Sequence, residues 1–227
     1  MSISPDQYTA LIRTAFRDKG KPETARGQMA YMKDHFPFFG LKKPEWTGLT
    51  KAHFEQYGVP SGADLDAVIR KCYQDEYREM HYFALEAAQK NIKKQPAEWI
   101  SLLEELIGTN SWWDSVDWIA KLVGIHFQRF PELIEPVTSR WMASCNFWLQ
   151  RVCLIFQLSY RNKTDAALLF KYVQMVAASK EFFLQKGAGW ALRQYSRTDP
   201  EAVRAFVERT SLAPLTRREA LRLMDKP

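Results

Sequence analysis

The chain has 227 residues, 46% of them apolar and 26% charged, ordinary proportions for one globular domain or at most two small ones. Its 3 cysteines, none in a C-x-x-C pair, exclude a disulfide framework and argue against a structural zinc site. Lys and Arg number 32 against 26 Asp and Glu, a net charge of +6. That balance favours a polyanionic partner, nucleic acid foremost, although many basic proteins bind none.

Helix signals recur along the chain. Ser4-Pro5 sets an N-cap before a proline at the first helical position, and Gly20 ends that helix. Further starts fall at Pro22-Glu23, Pro44-Glu45, Pro96 with Glu98, Pro131-Glu132, Thr164-Asp165 and Pro200-Glu201. Acids in these first turns complement the helix dipole. No run alternates apolar and polar residues long enough to predict a strand. The expectation is an all-α chain of about twelve helices joined by short loops. No stretch approaches 18 uncharged apolar residues, so no membrane span is predicted. The opening Met1-Ser2-Ile3-Ser4-Pro5-Asp6 lacks the basic and apolar regions of a signal peptide, and a cytoplasmic location is expected.

A repeat runs through the middle of the chain. Tyr77-Arg78-Glu79, Trp112-Trp113-Asp114, Phe147-Trp148-Leu149 and Phe182-Phe183-Leu184 begin 35 residues apart, as do the starts at Pro96 and Pro131. That period fits one helix–turn–helix unit, and such units stack into an α-solenoid of the HEAT type with a concave face. The chain is expected to form a single domain of such repeats over 1–227, its concave groove lined by basic residues.

Aligning the tracts exposes residues that break the pattern. The fifth residue after each start is Tyr82, Asp117, Val152 and Gly187, a single acid among uncharged types. A carboxylate in a partly buried slot is costly unless paired or used. Asp117 lies four residues after Trp113, so the two share a helix face. The preceding slot is His81, Val116, Arg151 and Lys186, which places cations on adjacent repeats. The eighth is Leu85, Ala120, Ile155 and Trp190, a lone indole. An acid, two indoles and a cation at related positions predict one concave site. The plainer readings stay open: Asp117 as partner of an Arg in the stack, the Trp residues as core, the cations as solvated surface, Gly187-Ala188-Gly189 as tight helix packing. Asp114 reads as a first-turn acid. The scattered His35, His53, His81 and His126 lack ligand spacing, and no phosphate-cradling Gly-rich motif or G-x-S-x-G is present.

The tract Ser111-Trp112-Trp113-Asp114-Ser115-Val116-Asp117 resembles the signature of the AlkD-type DNA alkylation repair family. The likeness continues through Phe147-Trp148-Leu149-Gln150-Arg151, Lys180 to Lys186, Gly189 to Arg193, Leu212 to Leu215 and Arg217 to Ala220. Tyr31-Met32-Lys33-Asp34-His35-Phe36 with Phe39-Gly40 is similar to the family's opening, and agreement is weaker between about 44 and 75.

The resemblance implies a HEAT-like DNA glycosylase that removes positively charged N3- and N7-alkylated purines, such as 3-methyladenine and 7-methylguanine, from duplex DNA. It implies Asp117 as the catalytic carboxylate, Trp113 and Trp190 as the site tryptophans, and Arg151 as a phosphate contact, with Tyr31 near the DNA. Lys186 and Arg193 join the expected DNA-binding set. It also implies that the damaged base stays in or near the duplex. No cofactor and no metal are expected, nor a lyase activity, since no Lys stands out as a Schiff-base nucleophile. The partner is double-stranded DNA carrying alkylated bases, bound by a monomer. Two other readings compete: a non-catalytic solenoid that binds distorted or branched DNA, and a protein-interaction scaffold.

Overall fold

The computed structural model describes residues 3–224; Met1 and Ser2, at the start of the stretch read for a leader, lie outside them. The described residues form thirteen α-helices and short 3-10 turns, with no strand. None of these helices is long and apolar enough to cross a membrane. The chain divides into two compact units, Met1–Gln95 and Pro96–Pro227.

In the first unit the expected signals act as read. Helix α1 (Pro5–Lys19) opens with Ser4 accepting from the Gln7 amide while the Gln7 side chain accepts from the Ser4 amide. It is followed by α2 (Pro22–Tyr31), α3 (Lys43–Tyr57), α4 (Gly62–Tyr73) and α5 (Arg78–Asn91). α4 packs on α1 and α5, and α3 packs on both of these as well. Ile12 and Phe16 of α1, Leu65 and Ile69 of α4, and Phe83 of α5 have no exposed surface. The linker after α2 is held by Glu79, which is fully buried. Its carboxylate accepts from the amides of Phe39, Gly40 and Leu41 at 3.0, 3.0 and 3.1 Å. Gly40 adopts φ +93° there, and a Cβ would lie 2.1 Å from the Lys21 carbonyl oxygen, so only glycine fits.

The second unit is a stack of helical hairpins. Its helices are α6 (Ile100–Gly108), α7 (Trp113–Arg129), α8 (Ile134–Ala143), α9 (Phe147–Ile155), α10 (Ala166–Met175), α11 (Phe182–Tyr195), α12 (Pro200–Arg209) and α13 (Pro214–Leu221). α6, α8, α10 and α12 each pack on the helix that follows them. The second helices form a layer of their own: α7 on α9, α9 on α11, α11 on α13. This is the arrangement a helical repeat predicts. Starts at Arg78, Trp113, Phe147 and Phe182 give spacings of 35, 34 and 35 residues, so the period in the sequence is the period of the second helices.

The aromatic tracts explain why the repeat is aromatic. Trp112 lies edge-on to Trp148 and Phe183, centroids 6.0 and 5.2 Å away, and Trp148 is 4.8 Å from Phe183. One ring from each of three tracts thus meets at the starts of α7, α9 and α11. Such pairs add about 0.5–1.5 kcal/mol each beyond their buried area. Trp112 is spent on this cluster; Trp113, the next residue, begins the helix.

Candidate functional site

The second-helix layer carries most of the residues singled out in the sequence. Trp113 and Asp117 stand one turn apart on α7, both partly exposed. Arg151 projects from α9 and meets Asp117 with both prongs of its guanidinium. Nε donates to Oδ1 at 2.8 Å and Nη2 to Oδ2 at 2.9 Å. Nη1 donates to the Phe183 carbonyl of α11 at 2.6 Å. Arg151 therefore ties three helices together. Its side chain is 6% exposed, while that of Asp117 is 20% exposed. The plainer reading of Asp117, as the partner of an Arg in the stack, is thus realised. Arg151 in turn is committed to Asp117 and a carbonyl, and holds the acid from behind.

Gly187 is the reason this fits. A Cβ there would lie 3.1 Å from Arg151 Nη1. The small residues Gly187 and Gly189 of α11 serve close helix packing, as one of the plainer sequence readings expects.

The other flank of Asp117 faces a cleft of about 380 Å³. Asp117 and Trp190 line it together with Lys121, Ile125, Ile155 and Phe156. This volume lies in the range of small-ligand sites. Tyr160, also on its wall, donates to the Gly124 carbonyl at 2.7 Å. The cleft arises where Gly124 and Ile155 to Tyr160 come together, and of these only Ile155 belongs to the aligned slots.

Burial pushes the Asp117 carboxyl above the ordinary aspartate range. The Arg151 fork pulls it down without cancelling the burial, and the Asp114 carboxylate nearby adds to the rise. A carboxylate with one side on a guanidinium and the other on a weakly solvated cleft has a strong field there, because little water screens it.

Trp190 lies on a stripe of α11 with Lys186 and Arg193, at spacings of four and three residues. Lys186 Nζ donates to Glu219 of α13 at 2.8 Å, and Arg193 pairs with the same carboxylate. Tyr31 belongs to the first unit, where it ends α2 and is 67% exposed.

The sequence profile described as DNA alkylation repair enzyme matches residues 12–224. The chain belongs to this DNA alkylation repair enzyme family. A solved structure described as a predicted DNA alkylation repair enzyme from Enterococcus faecalis is 33% identical. The two superpose with a TM-score of 0.86 over 92% of this chain and 98% of that one. No curated protein matches.

For a member of the DNA alkylation repair enzyme family, the structure brings Asp117, Arg151 and Trp190 together in the second unit and sets Lys186 and Arg193 on the same helix as Trp190. Two groups escaped the sequence reading. Apart from Asp117 and Trp190, the lining of the cleft carries no signature, being mixed apolar and polar residues of α7, the end of α9 and the turn that follows it. Glu219 lies in the tract Arg217 to Ala220, where it reads as one acid among surface cations, yet it is 7% exposed.

Proposed function

We propose that this chain is a monofunctional DNA glycosylase that hydrolyses the N-glycosidic bond of purines alkylated at N3 or N7. The observation that carries the reading is Asp117: an acid at the edge of a cleft, held by Arg151 and sharing that cleft with Trp190. Family membership supports duplex DNA as the substrate.

The chemistry follows from charge. Alkylation at N7 of guanine leaves the ring cationic, so the base is already a good leaving group. The C1′–N9 bond breaks with its electron pair moving onto the ring, which becomes neutral. Positive charge then develops on the deoxyribose as an oxocarbenium ion. Asp117 stabilises that charge, as carboxylates do in glycoside hydrolysis. Water adds to C1′ and gives up a proton, leaving an abasic site. Arg151 keeps the carboxylate aimed. Trp113 and Trp190 offer π faces to the cationic sugar and base. Lys186 and Arg193 take backbone phosphates, with Tyr31 as a further contact, so binding weakens as salt rises.

The damaged base stays in or near the duplex in this reading. The cleft wall carries Ile125, Ile155 and Phe156 beside Asp117, Gln128 and Ser159, and the stacked base follows from the family resemblance. A duplex with 2-aminopurine beside the lesion tests this: fluorescence stays quenched if the base remains stacked and rises if it is extruded.

The product distinguishes the reaction from its rivals. Methylated duplex treated with the protein releases free base and leaves intact strands that break only on alkaline treatment. Strand breaks without alkali mark a lyase. Salt-sensitive binding with no base released marks a DNA-structure binder, and no DNA binding at all marks a scaffold.

A further inference from the structure

Glu219 and Glu79 are the buried carboxylates among the described residues, and the catalytic scheme above leaves Glu219 without a task. It sits on α13 with a side chain 9% exposed. Lys186 donates to one of its oxygens at 2.8 Å, and Arg193 pairs with the other. Arg222, one turn on, approaches to 4.0 Å. The two α11 side chains are more open than the acid, 37% and 22% exposed, so the carboxylate lies behind and the cations in front. Lys186 beside it, and then Arg193, hold the Glu219 carboxyl below the usual glutamate range, so it is charged at neutral pH.

The backbone is adapted to this contact. A Cβ at Gly189 would lie 2.6 Å from the Glu219 Cβ and 2.9 Å from the Thr216 carbonyl oxygen. α13 thus sits directly on α11. Lys186 and Arg193 are seven residues apart, two turns along one stripe, with Trp190 between them. A single acid spans both. Long cationic side chains left in solvent sample many rotamers, and fixing each costs about 0.5–1.5 kcal/mol on binding. An acid that fixes them beforehand removes that cost.

We infer that Glu219 is a positioning residue for DNA binding, a rear anchor that sets the Lys186 ammonium and Arg193 guanidinium as a paired phosphate clamp on either side of Trp190. The inference rests on the reading of Lys186 and Arg193 as phosphate ligands. It assigns the otherwise unexplained acid of α13 to the substrate-binding face of α11.

The test is a cycle of variants read by fluorescence anisotropy on an unmodified duplex oligonucleotide at several salt concentrations. Glu219→Gln is expected to weaken binding about tenfold, equivalent to about 1.4 kcal/mol. In the Lys186→Gln/Arg193→Gln background, the same substitution changes nothing. Tighter binding by Glu219→Gln overturns the inference, because the acid then competes with DNA. An equal loss in both backgrounds also overturns it, because the acid then only locks α13 in place. If Lys186→Gln/Arg193→Gln binds DNA like the wild type, the phosphate reading itself has failed, a separate outcome. Should Glu219→Gln not fold, Glu219→Asp keeps the charge but is too short to span both cations, and a threefold loss confined to the background with both cations is expected. No loss with Glu219→Asp then overturns the inference.

Discussion

Helices α5 and α7 begin 35 residues apart and each withdraws a carboxylate from water, yet the two acids have different surroundings. Glu79 on α5 accepts from three consecutive backbone amides and has no exposed surface. Every neighbour is part of the fold, including Arg78, whose guanidinium lies 4.0 Å over the Phe36 ring. Asp117 on α7 accepts from one side chain and keeps a flank on a cleft. Burial raises both carboxyls above their ordinary ranges, the amides of Leu41 and Phe39 opposing the rise at Glu79 and Arg151 opposing it at Asp117. A raised carboxyl by itself does not mark a functional acid. The distinction is what lies on the remaining side: backbone for Glu79, open space beside an indole for Asp117.

The contrast breaks first on stability. Glu79→Ala strands three buried amides and is expected to cost about 3–5 kcal/mol, since each unsatisfied buried donor costs about 1–3 kcal/mol. Urea unfolding checks it, and a loss under about 1 kcal/mol contradicts the structural role, since a lost hydrogen bond alone contributes about that much. Arg151→Met comes next. It removes the fork that aims Asp117, and base release is expected to fall about 100-fold, the low end for losing one preorganised electrostatic group. Arg151→Lys keeps the charge but not the fork and recovers only part of that rate.

Trp190→Ala has a smaller expected effect, about tenfold in single-turnover rate, from a cation–π contribution of about 1–2 kcal/mol. An unchanged rate makes Trp190 part of the core. The smallest effect is the pH dependence. The folded pKa of Asp117 is raised, so folding favours its protonated form; its contribution to stability is full below the unfolded value and is lost as pH rises through the folded one. Activity runs the other way, because the reaction needs the carboxylate. The acid limb of the rate profile is therefore expected above about 3.9, the ordinary aspartate value. A limb at or below that value shows that Arg151 outweighs burial.

Much of this was legible in the sequence. The 35-residue spacing of aromatic tracts predicts the starts of α5, α7, α9 and α11 to within one residue. Asp117 stood out as an acid in an otherwise uncharged slot. Arg151 was legible as a cation of the adjacent repeat, but not as a buried one, because burial depends on Gly187 of the next helix making room. Glu219 was hidden for a related reason. Its partners lie 26 and 33 residues away on another helix, and a run of Arg residues around it reads as surface. Periodicity locates helices and their faces; it does not say which charges across a helix interface meet.

The central claim is that Asp117 is a working carboxylate and Glu79 is not. Release of 7-methylguanine from a methylated duplex, measured under single turnover for the wild type and Asp117→Asn with thermal stability and DNA affinity measured alongside, tests it most directly. The account predicts release by the wild type and a loss of about 100- to 1,000-fold in the variant, with DNA affinity retained. Undiminished release by a folded Asp117→Asn would contradict it and leave Asp117, like Glu79, an acid that only holds helices together.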